Sequence, residues 1–96
     1  MTITPYRRRT RIICTIGPAT GTTPQMAALL KAGMNIARLN LSHGTLNDHA
    51  GYLENLRRAC LRTGLPAAVL IDLPGPKYRI GRLKDGQVWL RKTHLV

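Results

Sequence analysis

The sequence predicts an α/β fold that opens as βαβαβ and runs on into a short β hairpin. Three observations carry this expectation. Runs of strand length alternate with runs of helical period, Gly or Pro punctuates the junctions, and the one continuous apolar run ends on an acidic residue and a turn-forming tetrapeptide. Three parallel strands joined by two helices begin either a (β/α)₈ barrel or a doubly wound sheet, and neither is complete in 96 residues.

Arg11 to Ile16 is a β-branched run closed by Gly17 and Pro18, which reads as a first strand followed by a Gly- and Thr-rich loop. Thr23 is placed to cap a first helix, with Pro24 at its first position and Gly33 at its end. Met26, Leu29, Leu30 and Met34 form its apolar stripe. Ile36 to Ser42 follows as a second strand, with Ala37, Leu39 and Leu41 on one face and Arg38, Asn40 and Ser42 on the other. A second helix is predicted over Leu46 to Thr63, with Leu53, Leu56 and Cys60 inward, Asp48 near its start, Arg57, Arg58 and Arg62 near its end, and Gly64 and Pro66 as the stop. Ala67 to Ile71 reads as a third strand covered on both faces, terminated by Asp72 and the turn Leu73-Pro74-Gly75-Pro76. Tyr78 to Leu83 and Gln87 to Leu90 are short strand candidates, and Asp85-Gly86 between them signals a hairpin. The change of character places a domain boundary near Gly75 or Pro76. A lone hairpin is marginal in water, so Val96 reads as a cut in a longer chain.

The formal charge is +11, from fifteen Lys and Arg against four acidic residues, which favours anionic partners. Apart from Lys31 and Arg38, the basic residues fall into three clusters, at Arg7 to Arg11, Arg57 to Arg62 and Lys77 to Lys92, so no low-complexity tail carries them. No apolar run approaches a membrane span. The run after Arg7-Arg8-Arg9 is too short for an export signal. Cys14 and Cys60 lack metal-type spacing and read as reduced packing residues, as suits the cytoplasm.

In parallel α/β sheets the functional groups gather at the carboxyl ends of the strands, where Arg38, Asn40, Ser42, His43 and Asp72 stand. Arg38 offers a planar fork to phosphate or carboxylate, Asn40 and Ser42 offer neutral oxygens, and Asp72 offers an anionic one. The set suits a phosphorylated ligand with a hard cation. By periodicity alone it suits helix caps and solvent-facing polar residues equally well.

The stretches RIICTIGPA (Arg11 to Ala19), AGMNIARLNLSHG (Ala32 to Gly44) and DLPGPKYRIG (Asp72 to Gly81) resemble, in order, the N-terminal motifs of pyruvate kinases. The resemblance implies the N-terminal part of a (β/α)₈ TIM barrel over residues 1–76, then the start of an inserted β domain over residues 77–96. It implies a segment of an enzyme that passes a phosphoryl group from phosphoenolpyruvate to ADP, giving pyruvate and ATP in glycolysis. Arg38 would contact phosphoenolpyruvate, while Asn40, Leu41, Ser42, His43 and Arg79 would border the nucleotide. Asn40, Ser42, Asp72 and the carbonyl of Leu73 would hold a monovalent cation such as K⁺. Lys77 stands where potassium-dependent members carry Glu, and its ammonium could replace that ion. The family's catalytic Lys and its Mg²⁺ ligands lie beyond the third strand, so the segment alone is expected to be inactive. His43, His49 and His94 are not expected to form a divalent site in their stead. The parent is expected to be a cytoplasmic homo-tetramer with no membrane or nucleic-acid partner.

Two other classes compete. A basic nucleic-acid-binding module fits the charge, but aromatic residues are 4% and no recognition motif appears. A truncated remnant docking on a full-length relative through an uncovered strand edge is the other.

Overall fold

A computed structural model describes residues 8–93; Arg7 of the first basic cluster, and His94 to Val96, lie outside the described residues. The elements are β1 (Ile13–Thr15), α1 (Thr23–Ala32), β2 (Ile36–Asn40), α2 (Leu46–Thr63) and β3 (Ala68–Asp72). The strands form one sheet in the order β1-β2-β3, parallel throughout. Cys14 pairs with Ala37 and Thr15 with Arg38, while Arg38 pairs with Leu70 and Asn40 with Asp72.

One hydrophobic cluster holds the layers together. Met26 and Leu30 of α1, Leu56 and Ala59 of α2, and Ala37 and Leu39 of β2 are all buried in it with Ile16 and Met34. Both helices therefore cover the same face of the sheet, the arrangement of consecutive βα units in a barrel. Ile36, Arg38 and Asn40 alternate onto the opposite face and are half-buried. Each large side chain taken from water into this cluster contributes roughly 1.5–3 kcal/mol. Cys14 and Cys60 are free thiols packed against the cluster.

Several boundaries differ from those the sequence predicts. The cap of α1 is Thr22, not Thr23: its hydroxyl accepts from the Gln25 amide, and the Gln25 side chain accepts from the Thr22 amide. Only Thr22 has a Gln three residues on, so the reciprocal pair selects it over its neighbour. β1 starts two residues late because the Asn35 side chain takes the Ile12 amide at 2.9 Å, before the ladder begins. β2 stops at Asn40, whose side-chain oxygen accepts from the Ser42 amide at 3.0 Å and turns the chain out of the sheet. On α2 the fully buried positions are His49, Leu56 and Ala59, with Leu53 and Cys60 only half-buried.

Two larger differences concern the C-terminal third. β3 runs one residue later than expected, Ala68–Asp72, and is not covered on both faces: Val69 and Ile71 are exposed because no helix among the described residues follows to lie on their side of the sheet, and Leu70, on the Arg38 face, is exposed as well. Between α2 and β3 this leaves a groove of about 840 Å³ lined by Leu53, Leu56, Cys60, Leu65, Ala67 and Val69. Tyr78 to Leu83 and Gln87 to Leu90 are not strands. A single 3₁₀ turn at Lys84–Gly86 replaces the hairpin. Asp85 and Gly86 do take positive φ, 58° and 77°, as a hairpin turn demands, yet the flanking residues find no ladder. Turn chemistry bends a chain; side-chain burial is what pairs strands, and Tyr78, Ile80, Val88 and Trp89 are exposed.

Candidate functional site

The carboxyl edge of the sheet brings together side chains from all three strands. Arg38 leaves β2 on the face away from the helices, and its register partners are Thr15 and Leu70. Its Nη1 donates to the Thr15 hydroxyl at 3.0 Å and its Nη2 to the Asp72 carboxylate at 2.5 Å. The pair is partly screened, with side chains 32% and 41% exposed. Two fork positions fix the guanidinium plane, and its remaining N–H groups have no partner among the described residues and can take an anion.

Asp72 ends β3 opposite Asn40, and its backbone carbonyl accepts from the Leu41 amide at 3.0 Å. That bond ties the first residue past β2 to the last residue of β3. Asn40 in turn holds the tight bend beyond it. Its side chain accepts from the Ser42 amide and its carbonyl from the His43 amide, at 3.0 and 3.2 Å. Ser42 and His43 are exposed at the lip of this edge.

The bend leads straight into α2. Thr45 caps the helix: its hydroxyl accepts from the Asp48 amide at 3.1 Å, and the Asp48 carboxylate accepts from the Thr45 amide at 2.8 Å. The Thr45 amide bond, then the Thr45 hydroxyl, hold the Asp48 carboxyl below its ordinary range. Gly44 adopts φ +73°, and an added Cβ would lie 3.2 Å from the Asp48 carboxylate, so both backbone and space favour glycine. One turn into the helix, His49 is buried and its Nε2 lies 2.6 Å from the His43 carbonyl oxygen.

Of the sequence-predicted residues, Arg38, Asn40, Leu41, Ser42, His43 and Asp72 thus form one contiguous edge. Leu73 follows directly and its side chain is 71% exposed. Lys77 and Arg79 lie in the irregular segment beyond, and among the described residues no hydrogen bond or ion pair joins either to Arg38, Asn40 or Asp72. Two participants escape the sequence reading. Thr15 is signalled only by its register with Arg38, and His49 by its place on the α2 stripe, seven residues before Leu56.

Chemically, the edge presents one fixed cation beside several hard oxygens: the Asn40 amide, the Ser42 hydroxyl, the second Asp72 oxygen and nearby carbonyls. Such a set suits a phosphorylated or carboxylated ligand.

The family described as "Pyruvate kinase, barrel domain" matches residues 7–95. A probable cytosolic pyruvate kinase isozyme of Arabidopsis thaliana is 49% identical over 81 residues, which cover 84% of this chain and 16% of the relative. The pyruvate kinase of Geobacillus stearothermophilus is 42% identical over 86 residues, covering 90% and 15%. The crystal structure of Cryptosporidium parvum pyruvate kinase superposes with a TM-score of 0.72 at 38% identity, over 83% of this chain and 17% of that one. The chain thus spans about a sixth of the length of the relatives it matches. The fold of three parallel strands with both helices on one face agrees with these matches: this chain belongs to the pyruvate kinase family and forms part of its α/β barrel domain.

Proposed function

We propose that the native-length protein transfers the phosphoryl group of phosphoenolpyruvate to ADP, and that the edge built by β2 and β3 is part of its active site. The observation that carries this is the Arg38 guanidinium, fixed between Thr15 and Asp72 with donors to spare at the strand ends. Phosphoryl transfer rests on positioning and on neutralising charge around the moving group. Arg38 binds phosphoenolpyruvate and holds its anionic end still. Asn40, Leu41, Ser42, His43 and Arg79 border the nucleotide, Arg79 from the irregular segment. Residues 1–76 belong to the barrel in this reading and residues 77–96 to the inserted domain.

The oxygens of Asn40, Ser42, Asp72 and the Leu73 carbonyl fit a monovalent cation in donor type, and Asn40 and Asp72 stand side by side in register. One Asp72 oxygen is already engaged by Arg38, so that carboxylate serves both the cation and the guanidinium. Lys77 is the alternative source of positive charge. Mg²⁺, held by residues outside this chain, supplies further charge neutralisation on the phosphates. The protein is cytoplasmic and tetrameric in this reading. Its cytosolic-named relatives favour the location, and no helix among the described residues is long and apolar enough to cross a membrane.

The test begins with the intact mass of the protein in its native cell, followed by an assay of that species for pyruvate formation from phosphoenolpyruvate, ADP and Mg²⁺. Activity is expected, with none from the 96-residue polypeptide alone. A native-length protein that binds neither substrate would sink the reading. Replacing K⁺ by a bulky organic cation separates the two cation options: indifference favours Lys77, loss of rate favours a bound ion.

A further inference from the structure

His49 is the one buried histidine, and its Nδ1 is the one buried side-chain nitrogen or oxygen without a hydrogen-bond partner among the described residues. Its other nitrogen, Nε2, lies 2.6 Å from the His43 carbonyl oxygen. A carbonyl can only accept, so Nε2 carries a proton and donates it to this contact. The ring cannot easily turn away from this contact. It is 7% exposed, Tyr52 meets it edge to face with centroids 5.7 Å apart, and Gly44 lies against it, where an added Cβ would be 3.6 Å from Nε2. The charged neighbour in the same turn, Asp48, is committed to the Thr45 amide.

What the ring holds is the far side of the Ser42–Gly44 bend. The near side is held by Asn40, through the Ser42 and His43 amides. Gly44, with φ +73°, gives the bend its least restrained backbone position, between Asn40 on one side and the Thr45 cap on the other. We infer that His49 is a positioning residue: its Nε2–H, bonded to the His43 carbonyl, sets the Ser42–Gly44 bend and so the affinity of this edge for the nucleotide. The inference rests on the nucleotide reading given above. It separates two parts of one site. Arg38 sits on the strand and is fixed by Thr15 and Asp72, independent of His49; the bend is not.

The experiment compares His49→Leu, which fills the space without a donor, with His49→Gln, whose amide can still donate, in the native-length protein. Removing the donor of this part-buried hydrogen bond releases the His43 carbonyl from α2, so His49→Leu is expected to raise the ADP KM about tenfold. The phosphoenolpyruvate KM is expected to stay within about twofold, and His49→Gln to recover most of the loss. Amide exchange at Ser42 and His43 is expected to accelerate about tenfold in His49→Leu and to return towards wild type in His49→Gln. An equal rise in both KM values, or a Gln variant as weak as Leu, would overturn the inference. Should the Leu variant not fold, nitrogen-15 histidine spectra of the wild type decide: a proton on Nε2 sustains it and one on Nδ1 refutes it. If the wild type makes no pyruvate, the phosphotransfer reading fails by itself, and the exchange and tautomer results still judge the bend.

Discussion

Arg38 depends on geometry that only guanidinium supplies. One fork nitrogen reaches Thr15 and another reaches Asp72, on opposite sides of its own strand. A Lys ammonium is a point charge on a flexible stem and cannot span both while facing a ligand. Arg38→Lys in the native-length protein is therefore expected to raise the phosphoenolpyruvate KM by about 10- to 100-fold although charge is conserved. Steady-state kinetics at saturating ADP reads this, and an unchanged KM would remove Arg38 from the substrate contact. The place of Arg38 at a strand end was legible in the sequence. Its partner Thr15 was not, because register between strands is a property of pairing that no single segment encodes.

At the scale of elements, the agreement with sequence is closest for α2, whose bounds Leu46–Thr63 match the expectation. There the local signals coincide: Asp48 in the first turn, Arg62 in the last, and Gly64 closing the helix in the left-handed region at φ 69°. Where local signals stood side by side, as with Thr22 and Thr23, only the position of Gln25 could choose. Where burial comes from other elements, local reading misleads. The apolar run of β3 and the Asp-Gly turn both imply partners that lie nowhere among the described residues. The Thr45–Asp48 cap offers two measurements. Thr45→Ala removes a capping hydroxyl worth about 1 kcal/mol, so amides in the first turn of α2 should exchange about fivefold faster. Asp48 has its folded pKa lowered, so its contribution is complete above the ordinary aspartate range and is lost as pH falls through the folded value. The Thr45 amide resonance is thus expected to titrate at a pH below that of a free Asp. Titration at the ordinary value would mean that the cap contributes nothing to the pH dependence of stability.

For the whole molecule, the radius of gyration of 18.2 Å decides what the 96-residue polypeptide can do alone. A compact domain of this length measures about 12–13 Å. The excess comes from the irregular segment after β3, which adds length without adding to the core. Apolar Val69 and Ile71 lie on the helix-side face of β3 with nothing over them. The isolated polypeptide is expected to bind a hydrophobic dye and to self-associate, since a core this small scarcely offsets the entropy of ordering the chain. Ile71→Lys should reduce that association in the isolated polypeptide, as read by light scattering. In the native-length protein the same change is expected to be strongly destabilising if further barrel elements cover this strand. Equal tolerance in both would mean that the strand stays bare there too.

The Thr15–Arg38–Asp72 chain of contacts crosses all three strands, and side chains on a sheet change faces with every residue. If β3 slipped by one position along β2, Asp72 would move to the helix side and Leu73 or Ile71 would take its place beside the guanidinium. On the proposed role of Arg38, ligand binding is then a proofreading signal for strand alignment: a mispaired sheet loses the Asp72 partner that fixes the guanidinium. In a refolding experiment, recovery of phosphoenolpyruvate affinity would mark correct alignment, where recovery of helix content would not.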